Sequence, residues 1–284
     1  MQKKKEIEYN YAAWATKNEV IILSVGSLRG ISQEQALKLT LIIGRLLLKN
    51  GAETTRVEDV MERLCAYFDV PNVNVFVTPT FIMLGSSSEI GEALCCRVRH
   101  RTINLSVLSE INQFSYGIDS WKLNYDDTMD YFTKKLTQKM PYTKIAVCAA
   151  YGFGALWFAM LLGAGAKDAL ASFLAACATS VTLNNIDKNS VSAFWKNSLA
   201  GGIITAIAIF CVKFGFGKSF EAITVASLMP FLPGLAFTNG LRDFIAGDLI
   251  SGNSRTAEAI LFALSLAAGL ALILFAAHEL ALWG

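Results

Sequence analysis

The residues of this 284-residue chain whose types and spacing could do chemistry gather in two stretches. The first begins with MPFLPG at 229–234, which sets Pro230, Pro233 and Gly234 inside an apolar run. Immediately after it come Asn239, Arg242, Asp243, Asp248, Ser251 and Arg255, distributed around three glycines. Each proline lacks an N–H and clashes with the carbonyl four residues back, so a helix here must kink or break. Irregular backbone at membrane depth is tolerated inside protein or beside a water-filled cavity, where freed carbonyls and helix ends can meet a polar solute. The plainer alternative is a kink that serves packing. The polar run that follows reads either as an ordinary cytoplasmic loop with solvated charges or as a re-entrant, gating segment at the inner mouth of a pathway. In the second reading Arg242 and Asp243 pair with each other or engage a zwitterion, with Arg242 meeting a carboxylate and Asp243 or Asp248 an ammonium group or a proton.

The second stretch is GAETTRVEDV at 51–60. Gly51 points to a special backbone conformation, and Glu53, Thr54, Arg56 and Glu58 cluster with Asp59 at a helix start. Helix capping accounts for this pattern. A contact with the membrane half or with a solute is the sharper reading.

Other chemical signals are weak. His100 lies between Arg99 and Arg101, as a solvated strand-end histidine would, and Ser86–Ser87–Ser88 lacks the G-x-S-x-G setting of a nucleophile elbow and reads as a turn. The six cysteines include no C-x-x-C pair, and adjacent Cys95 and Cys96 cannot supply two corners of a zinc site, so they read as reduced packing residues. KFGFGKS at 213–219 ends like a phosphate-binding loop but has Val212 where a Walker A requires glycine. The expectation is therefore a protein that is not an enzyme, with no catalytic residues, no metal and no cofactor.

The elements that must position these residues follow from composition. The chain is 54% hydrophobic and 17% charged with a mean hydropathy of +0.43, against about 25% charged in an ordinary soluble domain. Its net charge of +2 lacks the clustered basic face that nucleic acid demands. The average hides two halves: residues 1–144 hold 18 Lys+Arg and 16 Asp+Glu, while residues 145–284 hold 7 and 7. The first has the charge density of a soluble domain, the second that of a membrane bundle.

From Lys144 onward, five apolar stretches approach the roughly 20 residues needed to cross a bilayer core: 145–166, 169–186, 198–216, 222–241 and 258–278. The second turns polar at Thr182, Asn184 and Asn185, and the third carries Lys213. Dense glycine and alanine in these spans predict closely packed helices. Lys134, Lys135, Lys139, Lys144, Lys188, Lys196, Arg242 and Arg255 fall on one side and only Lys167, Lys213 and Lys218 on the other. The positive-inside rule then puts the N-terminal half in the cytoplasm and the C-terminus outside. The start MQKKKEIEYN precedes no cleavable apolar run, so no signal peptide is expected.

In the first half, Ser32 and Gln35 have capping-box spacing before an apolar helix that Gly51 stops, and a Thr55–Glu58 pair is expected to cap the next helix, whose stripe is Val57, Val60, Met61, Leu64, Cys65 and Phe68. VNVFVTPTFIML at 73–84, broken at Pro79, and EALCCRVRHR after it predict three short strands; helical periodicity returns at 105–116 and 126–140. The expected architecture is a cytoplasmic α+β domain over 1–143 followed by a bundle of five transmembrane helices over 144–284.

LLLKNGAETTRVEDVMERL at 46–64, VNVFVTPTFIML at 73–84 and MPFLPGLAFTNGLRDFIAGDLISGNSRTAEA at 229–259 occur in register with the two halves. On these blocks the chain resembles the threonine/serine exporter (ThrE) family, in its shorter, split YjjP type. The resemblance implies an inner-membrane secondary transporter that exports small hydrophilic metabolites, typically threonine and serine, coupled to the proton motive force. It also implies a separately encoded YjjB-type small membrane subunit and an oligomeric assembly, which accords with the odd number of spans. A small dicarboxylate such as succinate is the alternative solute, and a membrane-anchored sensor or enzyme domain the alternative function.

Overall fold

The computed structural model describes residues 28, 30–86, 93–99, 101–121, 124–138, 142–186 and 192–280. The chain divides into two compact units, Met1–Lys139 and Met140–Gly284. His100, Ser87 and Ser88 lie outside the described residues.

The N-terminal unit is built on helix α1, Gln33–Lys49. Its start is fixed by the capping box read from the sequence: the Gln35 N–H donates to Ser32 Oγ and the Ser32 N–H to the Gln35 side chain. Ala36, Leu37, Leu39, Ile43, Leu46, Leu47 and Leu48 are all buried, so this helix forms the centre of the core. Gly51, at φ +93°, ends it in the left-handed region that favours glycine. Helix α2, Thr54–Tyr67, then packs on α1 through Val57, Val60, Met61, Leu64 and Cys65. The Cys65 thiol lies against Thr40, and burial pushes its pKa up.

The three expected strands are present: β1 (Val73–Thr78), β2 (Phe81–Ser86) and β3 (Ala93–Arg97). They form an antiparallel meander in the order β1-β2-β3, with Pro79 and Thr80 making the first turn. Proline is tolerated there because a turn residue owes no hydrogen bond to the ladder. The rows Val75–Leu84–Leu94 and Val77–Ile82–Cys96 face the helices; the alternate row Phe76–Met83–Cys95 is exposed. The sequence expects Ser86 to be part of a turn. Instead it closes β2 as a buried residue, accepting from Gln33 Nε2 at 3.0 Å and donating to the Pro71 carbonyl at 2.7 Å. Helices α3 (Leu105–Tyr116) and α4 (Tyr125–Thr137) complete the unit, joined by a 3₁₀ turn at Ile118–Ser120 and by edge-on packing of Phe114 against Phe132 and Trp121.

The C-terminal unit is entirely helical among its described residues: α5 (Lys144–Leu161), α6 (Ala166–Asn185), α7 (Ala193–Lys213), α8 (Phe220–Leu228), α9 (Gly234–Ile245) and α10 (Leu249–Glu279). By length and composition α5, α7 and α10 can each cross a membrane, and α8 with α9 forms a fourth candidate bent by 61°. The 169–186 stretch, expected as a span, is helix α6 but does not meet that measure. The physical reason is its polar content: Asp168, Ser172, Thr179 and Ser180, which are buried, and Lys167, Thr182, Asn184 and Asn185, which are exposed, lower its hydropathy. Large apolar side chains such as Trp157, Leu161, Phe210, Leu272 and Phe275 are exposed instead. The outside of these helices is thus greasier than the inside.

Glycine sets how closely these helices approach. A Cβ at Gly201 of α7 would collide with the Leu266 carbonyl of α10, and one at Gly269 with the Ser198 carbonyl. Backbones this near leave room for nothing but hydrogen, which is how helices gain contact where lipid removes the hydrophobic drive.

Candidate functional site

The helix that begins at Phe220 breaks where its prolines require. α8 ends at Leu228, a 3₁₀ turn spans Met229–Phe231 with Pro230 in its first turn, and Pro233 is the N-cap residue from which α9 starts at Gly234. Neither proline can donate to the preceding turn, so the axis turns by 61° rather than running on. The break rests on α5, where Tyr151 and Phe231 have ring centroids 4.7 Å apart and Gly154 leaves space for the Pro230 ring. A groove of about 250 Å³ opens beside it, lined by Leu232, Pro233, Gly234, Phe237, Ala259, Ile260 and Ala263. That is just under the roughly 300–1,000 Å³ of pockets for drug-sized ligands.

Beyond the break, the segment expected as a loop over 239–255 is a helical hairpin. α9 carries Asn239, Arg242 and Asp243 as far as Ile245, and α10 starts at Leu249 with Asp248 as its N-cap. The Asp248 carboxylate accepts from the Ser251 N–H at 3.0 Å while its own N–H donates to the Asp243 carbonyl at 2.9 Å. Gly247, at φ +90°, makes so tight a turn possible. With a 31-residue α10, about 46 Å long at helical rise, it is helix and not loop that carries most of these charges.

Two of those charges are buried instead. Arg255 Nε lies 3.0 Å from Asp243 Oδ2, with the side chains 4% and 0% exposed. The pairing expected between adjacent Arg242 and Asp243 does not form this ion pair. Neighbours in a helix point about 100° apart, so Arg242 is exposed while Asp243 turns inward to α10. Ser251, one turn before Arg255 on the same face, is fully buried, and its Oγ and the Oγ1 of Thr256 have no hydrogen-bond partner. Tight approach is enforced from both sides: a Cβ at Gly240 would sit 2.6 Å from Thr256 Oγ1, and one at Gly252 would sit 2.7 Å from the Phe244 ring. Asp243, Ser251 and Arg255 are therefore brought together on one hairpin. Asn239 and Asp248 flank them, half-buried; Arg242 does not join the buried group.

The other candidate stretch does not converge on a site. Gly51 serves the C-terminus of α1, where the Ala52 N–H bonds the Leu47 carbonyl at 3.0 Å. Glu53 is the N-cap of α2 and makes no side-chain cap bond; the helix starts at Thr54, one residue before the expected Thr55–Glu58 cap. Glu58 instead reaches the sheet, where its Oε1 accepts from the Val77 N–H at 2.9 Å. Arg56 is exposed.

One functional-looking residue escapes sequence reasoning. Asp168, in the first turn of α6, is buried and accepts from the backbone N–H groups of Lys218 and Ser219 at 2.6 and 3.4 Å. These amides belong to the KFGFGKS run, so donors that a phosphate loop would aim at its ligand are spent within the fold. The available signal was an acid set just inside an otherwise apolar run. Among the described residues, no three His, Cys, Asp or Glu side chains converge as metal ligands would.

Comparison with known proteins gives this arrangement its context. A family model described as "Putative threonine/serine exporter" matches residues 38–276. The chain is 21% identical over 255 residues to the "Probable succinate transporter subunit YjjP" of Klebsiella aerogenes, covering 89% of this chain and 95% of that one. It is 22% identical to the protein of the same name from Escherichia coli strain K12, at 89% and 96% coverage. It is 23% identical over 249 residues to the "Threonine/serine exporter" of Corynebacterium glutamicum, where the match covers 81% of this chain but only 49% of the relative. The chain thus spans about half the length of that exporter. No solved structure matches it.

Proposed function

On the premise that the chain belongs to the threonine/serine exporter family, we propose that it is one subunit of a secondary transporter that exports threonine and serine from the cytoplasm, coupled to the proton motive force. The family is one of exporters, not of enzymes. The observation that carries the reading is the broken helix α8–α9 leading directly into a hairpin that buries an Asp–Arg pair. Charged residues inside a membrane bundle are costly and mark solute or proton routes. Pro230, Pro233 and Gly234 shape the cavity, and Asn239, Arg242, Asp243, Asp248 and Ser251 line the way to it.

In this reading residues 144–284 form a multi-pass bundle of five spans in the inner membrane. α6 counts among the five because its Asp168, Ser172, Thr179 and Ser180 are buried, while Leu170, Leu174 and Val181 are exposed for lipid to meet. The N-terminal domain, 1–143, is cytoplasmic and the C-terminus lies outside, a reading supported by the lysine and arginine asymmetry. A separately encoded YjjB-type subunit supplies the other membrane unit, a division supported by two relatives named as transporter subunits and by one that is about twice as long.

Cells loaded with a threonine- or serine-containing dipeptide should accumulate the free amino acid when the gene pair is deleted and release it when the pair is restored. Unchanged efflux in both strains overturns amino-acid export. A second reading, export of a small dicarboxylate, is favoured by the succinate named in two relatives. The same strains loaded with succinate measure it.

A further inference from the structure

Resting on the exporter reading, we propose that Asp243, Arg255, Ser251 and Thr256 form the seat for the charged head of a zwitterionic solute, with the internal ion pair standing in for that solute when the seat is empty. The solute's carboxylate takes the place of Asp243 at the Arg255 guanidinium. Its ammonium group takes the place of Arg255 at the Asp243 carboxylate. The two hydroxyls supply the remaining hydrogen bonds.

Three observations support the exchange. First, the pair is an expensive way to hold two helices together. Removing both charges from water costs several kcal/mol per ion, and apolar residues of the same size commonly do as well. Its position on the hairpin after the broken helix points to a use for the charges themselves. Second, Ser251 Oγ, one turn before Arg255, and Thr256 Oγ1, which faces Gly240 one turn before Asp243, are both buried with no hydrogen-bond partner. A buried hydroxyl left unsatisfied is itself destabilising, and both atoms gain partners if a polar head occupies the pair. Third, the groove beside the break reaches Ala259, one helical turn beyond Arg255 on α10. Its apolar lining suits the short carbon skeleton of the same solute.

The close approach of α9 and α10 at Gly240 and Gly252 leaves no vacant space at the pair, so entry requires the hairpin to part. The charge pattern also sets the selection rule. A zwitterion satisfies both members of the pair, whereas a dicarboxylate satisfies Arg255 and confronts Asp243 with a like charge, which excludes it by repulsion.

The test is binding and efflux of radiolabelled L-threonine and succinate by the full-length protein reconstituted with its partner subunit. Ser251→Ala removes only an unsatisfied hydroxyl, so a structural role predicts undiminished thermal stability and unaltered binding. The seat predicts undiminished stability with L-threonine affinity lowered by about three- to tenfold, the worth of one hydrogen bond to a bound group. Asp243→Asn, close to isosteric, should lower L-threonine affinity by about tenfold or more and raise that for succinate. L-threonine affinity unchanged in Ser251→Ala overturns the seat, as does L-threonine affinity unchanged in Asp243→Asn. If the wild type moves neither solute, the exporter reading itself falls; if it moves L-threonine and Ser251→Ala is indifferent, only the seat falls.

Discussion

Arg255 Nε lies 3.0 Å from Asp243 Oδ2 across the α9–α10 hairpin, and neither side chain reaches solvent to any useful extent. Truncating one member leaves the other charge buried alone. Asp243→Ala or Arg255→Ala should therefore each cost about 3–5 kcal/mol. The double variant Asp243→Leu, Arg255→Met removes both charges and should cost much less than the sum. Thermal unfolding of the purified protein in detergent measures all three. Additive losses would mean that the two side chains do not interact.

The crossing of α7 and α10 makes a second prediction. Gly269→Ala places a methyl group where the Ser198 carbonyl now sits and should destabilise by about 1–3 kcal/mol, seen as a lowered Tm and loss of monodispersity. Gly234→Ala meets no atom within 4 Å and lies outside the left-handed region, so its Tm should be close to that of the wild type. A transport defect in Gly234→Ala would then report on the break in the helix and not on folding.

Asp168 fastens the turn between α7 and α8 by accepting two backbone N–H groups. Asp168→Ala should leave those donors unsatisfied, at about 1–3 kcal/mol. Amide hydrogen exchange at Lys218 and Ser219 should accelerate, while exchange in the middle of α10 stays slow. Equal protection in both proteins would show that the carboxylate does not hold the turn.

Thiol chemistry separates the cysteines of the N-terminal unit. Cys65 is buried against Thr40 and burial raises its pKa, whereas Cys95 is exposed on the outer row of the sheet. Thiolate is the reactive form, so a maleimide at neutral pH should label Cys95 rapidly in the folded protein and Cys65 only after unfolding. Peptide mass spectrometry of the labelled chain reads the order directly. Fast labelling of Cys65 would place it outside the core.

Much of this was legible in residue order because it depends on local rules. The capping box at Ser32 and Gln35, the stripe of α2, the β-branched runs of the sheet and the break at Pro230 and Pro233 are each set by neighbours a few positions apart. Periodicity and missing donors need no knowledge of the rest of the chain. The charge asymmetry between the two halves is likewise a property of composition.

What only the tertiary structure decided is which side chains meet. Arg242 and Asp243 are adjacent in sequence, yet the helix turns them apart, and Asp243 finds Arg255 twelve residues later because the hairpin folds α9 back on α10. Asp168 meets Lys218 and Ser219 across an interval of 50 residues that no periodicity spans. Glu58, expected as a local cap, is claimed by a strand instead. In each case a buried polar group takes the partner that three-dimensional packing brings within reach, because leaving it unsatisfied away from water costs more than giving up a local bond.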